Sequence, residues 1–527
     1  MRIVTSQEMR SLDQIAETEY GISATLLMEN AGRASVQILF ENFPGAGKTK
    51  EILVFAGKGN NAGDAFAMAR RLICLERKVR IFHLVKETDY KGSVLANFQI
   101  LKKMKAKLIH VENAGEMEAF FTSSRGPFIA VDGIIGTGLK GKLEGIYSDV
   151  VDILNKNVQD IFSLDIPTGV NGDTGVALGS SIQAAVTVSY GFPKLGHFLP
   201  PGAAKRGKLV NVDISLPPRF RREGDKFLLM RNPMSELLVE RDRYGHKNSF
   251  GHTLLIGGSP GRIGAISMAA KAAHRMGTGL VTICTWEDTL QALLARIPDE
   301  TMAYALKLSG SEFEAHKERV KTYSSVVAGP GFGLRPEGKA ILEQLLMHYH
   351  GPLVLDADAL NLIADHKLHS LLVQRRASTV LTPHAGEMAR LIDKPKEWVL
   401  ENPLLAVHEA TEKTHSVVVL KGAATVVGSP NEKFYLNHYP NDGMATAGSG
   451  DVLAGMIGGL LGQKMDAFQG TQLGVYLHSL AGDFAARSLG HRSMTAPDII
   501  ENIAHAFKDI KTTQDAPFPE EGLAQLR

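Results

Sequence analysis

A chain of 527 residues exceeds what one ordinary hydrophobic core accommodates, and 44% hydrophobic against 22% charged residues suits a globular protein of two domains with large buried cores. Lys+Arg 58 against Asp+Glu 56 gives a formal net charge of +2, which excludes the broad phosphate-neutralising surface of a nucleic-acid-binding protein. Two cysteines, Cys74 and Cys284, exclude a disulfide framework and a zinc–thiolate cluster. The N-terminus MRIVTSQEMRSLDQ lacks a signal-peptide core and no apolar run reaches membrane-spanning length, so a cytoplasmic protein that engages no membrane is expected.

In chain order, the first region alternates short β-branched runs with glycine turns and helical patterns, the signature of α/β architecture. The strand-like runs are Glu51–Gly57, Lys78–Val85, Pro127–Gly136, Asp160–Pro167 and Ala185–Phe192. After the first of them comes KGNNAGDAFAMARRL (Lys58–Leu72), in which Asn60 and Asn61 offer amides, Gly59 and Gly63 free the backbone, and Asp64 adds a carboxylate at a helix start. On its own this stretch is either a phosphate-binding turn or an Asx-type turn with a helix cap. VDGIIGTGLKG (Val131–Gly141) and LDIPTGVNGDTG (Leu164–Gly175) then place Asp132 and Asp165 at two further strand ends. Beside Pro167, Asp165 is either structural or a proton-transfer group.

SLPPRFRREGDKF (Ser215–Phe227) reads as a linker over 216–225, with its charged run Arg219–Lys226 solvated and a boundary near 220. The second region has strand-like runs at His252–Ser259, Gly279–Thr285, Ser324–Gly333, Pro352–Leu360, Ser378–Glu387 and Ser416–Gly428, whose continuous Val/Leu/Ile character suits a parallel sheet covered on both faces. Ligands of open α/β sheets bind at the carboxyl ends of strands, and those ends carry GPGFG (Gly329–Gly333), DADALN (Asp356–Asn361), TPHAGE (Thr382–Glu387) and KGAAT (Lys421–Thr425). GMATAGSGDVLAGMIGGLL (Gly443–Leu461) sets Gly448, Ser449 and Gly450 before Asp451 and a buried-helix pattern. Taken alone, Asp451 is either a first-turn helix charge or a catalyst beside an anion hole of backbone N–H groups. Taken alone, His384 and Asp356 have equally ordinary structural readings. A polar tail is expected over 511–527, partly disordered.

The ordered motifs GPGFG, DADALN, TPHAGE, KGAAT and GMATAGSGDVLAG resemble the ribokinase-like C-terminal domain of the bifunctional NAD(P)H-hydrate repair family, over about residues 226–510. The loops at Asn60, Asp132 and Asp165, preceded by LLMENAG (Leu26–Gly32), resemble the Rossmann-like N-terminal epimerase domain of the same family, over residues 1–215. The resemblance implies a two-activity enzyme. One half interconverts the R and S hydrates, and the other, an ADP-dependent dehydratase, returns the S hydrate to NADH or NADPH with release of AMP and phosphate.

It also implies residue roles. In the second half, Asp451 is the base, Lys421, Gly422, Ala423, Ala424, Thr425 and Gly450 contact the adenine nucleotide, and Ala265, Gly331, His384 and Asp451 contact the hydrate, with Mg²⁺ accompanying ADP. In the first half, Asn60, Asn61, Ala62, Gly63, Asp64, Gly136, Thr137, Gly138, Leu139, Lys140, Gly141, Lys142 and Asp165 contact the hydrate. Asp165 moves the proton there, and Asn61, Asp132 and Thr168 hold a potassium ion. The implied partners are NADH hydrate, NADPH hydrate and ADP, with no nucleic acid and no membrane, in a homo-oligomer.

Two departures from the family pattern stand out. Ser449 replaces a more common threonine, keeping the hydroxyl. NNAGDAF puts Ala62 and Ala65 at two glycine positions, where a positive φ would cost alanine about 1 kcal/mol. The alternative reading is a ribokinase-like small-molecule kinase fused to a non-catalytic Rossmann-like binding module.

Overall fold

The computed structural model describes residues 1–124, 126–307, 310–430, 433–512 and 523–526. It divides into two compact units, one from Arg2 to Gly224 with the described end of the chain, the other from Asp225 onward with Met1. The tail expected over 511–527 lies mostly outside the described residues.

In the first unit, strands β1 (Glu51–Ala56), β2 (Val79–His83), β3 (Leu108–His110), β4 (Phe128–Gly133), β5 (Asp160–Leu164), β6 (Val186–Tyr190) and β7 (Lys208–Val212) form a parallel sheet in the order 7-6-5-4-1-2-3, with Leu523–Leu526 antiparallel against β7. Alternate residues of β1 enter two different cores: Ile52, Val54 and Ala56 pack into one, Leu53 and Phe55 into the other. Helices therefore cover both faces, which is why the run is apolar without alternation. The order reverses between β1 and β4, and a crevice opens at their carboxyl ends.

In the second unit, β8 (Lys226–Leu228), β9 (His252–Ile256), β10 (Leu280–Trp286), β11 (Met302–Leu306), β12 (Ser325–Ala328), β13 (Leu353–Leu355), β14 (Thr379–Leu381), β15 (Val417–Leu420), β16 (Ala424–Gly428) and β17 (Phe434–His438) form one sheet in the order 11-10-9-12-13-14-15-16-17-8. All pairings are parallel except β15–β16 and β16–β17. The reversal point here lies between β9 and β12.

The stretch Ser416–Gly428, read as one strand, is a hairpin of β15 and β16, because Lys421–Ala423 turn the chain back on itself. β3, β7, β8, β11 and β17 lie outside the expected runs; each is short or carries polar residues, as in LIH, KLVNV and FYLNH. The charged run at 219–226 is not wholly solvated. Arg219–Arg222 makes a helical turn whose Phe220 is buried, while Arg219 and Arg221 pair with Glu19 and Asp213 at its surface. Among the described residues, no helix is long and apolar enough to cross a membrane.

Two close approaches fix the loops of the second unit. Helix Ser449–Gly462 is buried from Val452 to Gly462, and a Cβ on Gly455 would stand 2.1 Å from the Ala269 carbonyl oxygen of helix Ile263–Arg275. At the end of β12, Gly329 has φ +128°, and a Cβ there would stand 1.8 Å from the Asp356 carbonyl oxygen. Gly329→Ala combines left-handed strain with this overlap, and is expected to destabilise the second unit by at least about 2 kcal/mol, read as a lowered denaturation midpoint.

Candidate functional site

In the first unit the crevice at the β1/β4 reversal is a cavity of about 620 Å³. Helix Asn60–Cys74 begins shortly after β1, so Asn60 and Asn61 lie in its first turn and line the cavity with Asp64 of the next turn, beside the free N–H groups of a helix start. Gly136, Thr137 and Gly138 line it from the loop after β4, and Asp165 from the end of β5. These elements meet closely: a Cβ on Gly136 would stand 3.1 Å from Asp165 Oδ2 and 3.3 Å from Asn61 Cγ. Asp165 has φ +64°, a strained conformation for a non-glycine residue at a site where the surrounding fold enforces it.

The remaining expected contacts take other positions. Ala62 and Gly63 are buried behind the wall, Gly63 against Met28. Leu139 packs into a core, while Lys140, Gly141 and Lys142 are exposed and outside the cavity lining. Ala62 and Ala65 are helical, fully buried and free of positive φ, so alanine at these two positions carries no left-handed strain.

Beneath the loop, Asp132 is inaccessible to solvent and accepts bonds from Thr168 N at 2.9 Å, Thr168 Oγ1 at 2.6 Å, Ser163 Oγ at 2.9 Å and Ile134 N at 3.3 Å. Burial raises its proton affinity, and these four bonds oppose the rise. Asn61 is 6% exposed, and both its amide atoms lack a hydrogen-bond partner. Such a buried orphan implies a ligand supplying what the protein does not.

Lys194 and Asp13, with Arg10 and Glu17, are charged residues of this cavity that escaped the sequence reading. Lys194, 1% exposed, donates to Asp165 Oδ1 at 2.5 Å and to the Tyr190 carbonyl at 3.1 Å. Its signal was available, since SYGFPKLGH follows β6 and Lys194 belongs to another strand end. His197 Nδ1 accepts from Lys194 N at 3.0 Å, leaving Nε2 to donate to the Asp165 carbonyl at 2.8 Å. Burial holds His197 far below the usual imidazole range and therefore neutral. Asp13, on helix Ser6–Tyr20, gave no signal because its neighbours resemble a solvated helix face. Burial, followed by the charges of Asp165 and Asp13, raises the Asp64 carboxyl well above the usual range; Lys194 offsets this in part.

In the second unit the strand ends assemble a second charged cluster. Lys421 Nζ donates to Asp356 Oδ1 at 2.6 Å, and Thr382 Oγ1 donates to the same oxygen at 2.8 Å. Asp356 is 1% and Glu387 5% exposed. Burial alone would lower Lys421, yet Asp356 and Glu387 hold its ammonium above the usual lysine range. A Cβ on Gly450 would stand 3.1 Å from Lys421 Nζ, so the lysine reaches the start of helix Ser449–Gly462. That helix has Gly448 (φ +94°) at its N-cap and no side-chain cap bond. Asp451, in its first turn, is pushed up to about 7 by burial, then by Asp356, with Lys421 opposing.

His384 caps helix Ala385–Ile392. Its Nδ1 accepts from Gly386 N at 2.9 Å and Glu387 N at 3.2 Å, which leaves Nε2 as the ring's donor, 3.3 Å from Glu387 Oε1. Glu387 Oε2 accepts from His384 N at 2.8 Å, completing a reciprocal capping box. Across the β9/β12 reversal, Gly331 (φ +59°) lies against Ala265, the would-be Cβ standing 3.2 Å from Ala265 Cβ. Asp358 Oδ2 accepts from Gly333 N at 2.8 Å and Arg262 at 3.0 Å, tying the GPGFG loop to the end of β13. Between the two aspartates, Ala357 is forced to φ 49°. Lys421, Gly422 and Ala423 form the β15–β16 turn, with Gly422 and Ala423 exposed; Ala424 and Thr425 begin β16, and Thr425 Oγ1 donates to the Gly422 carbonyl at 3.2 Å.

Residues 253–505 match the family model described as NAD(P)H-hydrate dehydratase, and residues 24–196 match that of the YjeF-related protein N-terminus. Along nearly its whole length the chain is similar to curated proteins called bifunctional NAD(P)H-hydrate repair enzyme. It is 36% identical to the protein of Moorella thermoacetica and 35% to that of Thermofilum pendens, in both cases over 97% of each chain. The Escherichia coli protein is 30% identical over 94% of this chain and 92% of its own. Among solved structures, the ADP/ATP-dependent NAD(P)H-hydrate dehydratase of Bacillus subtilis is 25% identical, covering 54% of this chain and 98% of that one, with a TM-score of 0.46. With both halves matched in order and near-complete coverage by relatives above 30% identity, the chain belongs to the bifunctional NAD(P)H-hydrate repair family.

Proposed function

We propose that the chain repairs hydrated NADH and NADPH in the cytoplasm, residues 1–215 interconverting the R and S hydrates and residues 226–510 dehydrating the S hydrate at the expense of ADP. The observation that carries the second activity is Asp451 in the first turn of an uncapped, glycine-led helix, beside the Lys421 ammonium. A phosphoryl group arriving there meets helix N–H groups and a part-buried cation, which is most of what phosphoryl transfer asks of a protein.

The hydrate's hydroxyl attacks the terminal phosphorus of ADP, the bond to AMP breaks, and Asp451 takes the hydroxyl proton. The hydroxyl has then become a phosphate ester. Its carbon–oxygen bond breaks with loss of a proton from the neighbouring carbon, forming the ring double bond and releasing phosphate. His384 and the Gly331–Ala265 wall suit the hydrate, and the Lys421–Thr425 turn suits the nucleotide. A Mg²⁺ ion accompanying ADP would be held mainly by the phosphates and would supply charge neutralisation when bound.

The first activity rests on the cavity that gathers Asn60, Asn61, Asp64, Gly136 and Asp165 at the β1/β4 reversal. The orphaned Asn61 amide fits a hard, oxygen-seeking cation, with Asp132 and Thr168 as the other donors. A potassium ion there supplies fixed positive charge; Asp165 moves the proton at the hydrated carbon.

Three outcomes are expected. Asp451→Asn lowers ADP-dependent conversion of the S hydrate to NADH by about 10²- to 10⁴-fold and leaves R-to-S interconversion intact. Because Asp451 must be ionised to act, wild-type dehydratase kcat/KM rises with pH through about 7 and loses that limb in the asparagine variant. Replacing K⁺ by Li⁺ lowers epimerisation and leaves dehydration unchanged; equal rates in the two salts would remove the ion from the reading.

A further inference from the structure

We propose that Asp13, on the helix Ser6–Tyr20, is the second proton-transfer carboxyl of the epimerisation, working with Asp165 across the hydrate ring. The inference rests on the epimerase reading of the first unit. It starts from stereochemistry. One route to inverting a hydroxyl-bearing carbon that is bonded to the ring nitrogen has water leave one face and water arrive at the other. On that route, one carboxyl that moves protons on a single face is not enough.

The balanced step is as follows. A protonated carboxyl gives its proton to the departing hydroxyl, the carbon–oxygen bond breaks, and water leaves while the nitrogen lone pair forms a carbon–nitrogen double bond. Water then adds to the opposite face, the electron pair returns to nitrogen, and the ionised second carboxyl takes the surplus proton. No oxidant or reductant enters, and the enzyme finishes holding the one proton it began with.

The cavity contains such a pair on separate elements. Asp165 comes from the end of β5 and is tied through Oδ1 to Lys194. Asp13 comes from a helix that precedes the sheet, lines the same cavity, and has a buried Oδ1 with no hydrogen-bond partner. Asn61, 6% exposed with both amide atoms unpartnered, lines the cavity as well, so the space is built for a polar ligand. The charged groups facing Asp13 are Lys194, Asp165 and Asp64, with Arg10 and Glu17 on its own helix and Lys58 after β1. Asp64 is the weaker candidate, its carboxyl raised well above the usual range by burial and then by Asp165 and Asp13. Burial, moderated by Lys194 and reinforced by Asp165, pushes Asp13 up to about 6, within range of both giving and taking a proton.

The sign follows. The working pair holds one proton and Asp13 carries it, so the wild-type rate falls as pH rises through about 6. The test is R-to-S interconversion by the full chain between pH 5 and 8, with the uncatalysed rate subtracted. Asp13→Asn is expected to lower kcat about 10²-fold with KM changed less than about threefold, and to leave a residual rate without the limb near pH 6. Asp13→Glu is expected to restore part of kcat together with the limb. An asparagine variant that keeps wild-type kcat or keeps the limb overturns the role of Asp13 alone. Loss of rate accompanied by a large rise in KM, unrescued by glutamate, also overturns it, as that is the signature of a merely structural position. A wild-type protein no faster than the uncatalysed reaction overturns the epimerase reading and this proposal together.

Discussion

Each half of the chain is organised around one lysine ammonium, buried in the first unit and part-buried in the second, that several carboxylates share. In the first unit Lys194 bonds Asp165 while Asp13 and Asp64 face the same charge. In the second, Lys421 bonds Asp356 while Glu387 and Asp451 lie within its field. Burying a lysine is expensive unless a carboxylate compensates it, and one ammonium does not satisfy three carboxylates. The excess acids therefore keep raised proton affinities, which places proton-exchanging groups near neutral pH without any imidazole base. Deleting either lysine would leave a buried carboxylate uncompensated and disturb every proton affinity around it.

The sheets explain how such clusters arise from residues far apart in sequence. Parallel strands deliver all their following loops to one edge, and the change of strand direction at β1/β4 and at β9/β12 leaves room between neighbouring loops. Lys194 and Asp13 are separated by most of the first unit, as Asp356 and Lys421 are by two strands of the second. Glycines make the approach tight enough: Gly329 lies where any Cβ would strike the Asp356 backbone, and Gly136 lies between Asn61 and Asp165. Strain collects at the same edge, in Asp165 and Ala357.

Legibility in the sequence followed physical kind. Strands buried on both faces announced themselves as unbroken Val/Leu/Ile runs, and glycine-rich strand ends marked the functional edge. Short, polar-flecked strands such as β3 and β17 carried no such pattern, and the run at Ser416–Gly428 concealed a hairpin because both its arms are apolar. The cap-or-catalyst ambiguity at Asp451 was real: an acid in a first helical turn is the same residue type in either role. The Gly448 N-cap without a side-chain bond and the arrival of Lys421 beside Gly450 weigh toward catalysis. At Ala62 and Ala65 the concern over left-handed backbone dissolves, since both residues are helical.

By itself the sequence determined the α/β class, the two sheets, the order of strand-end motifs and most of the residue types that a proton- and phosphoryl-transferring site requires. These are local properties, written in hydrophobic period and turn chemistry. Only the tertiary structure decided which carboxylate meets which ammonium, that Asn61 is left without partners, that Lys140 to Lys142 stay outside the cavity, and that Asp13 enters it from an unremarkable amphipathic helix. Proton affinity and hydrogen-bond satisfaction depend on distance and desolvation between remote segments, and neither quantity exists until the chain has folded.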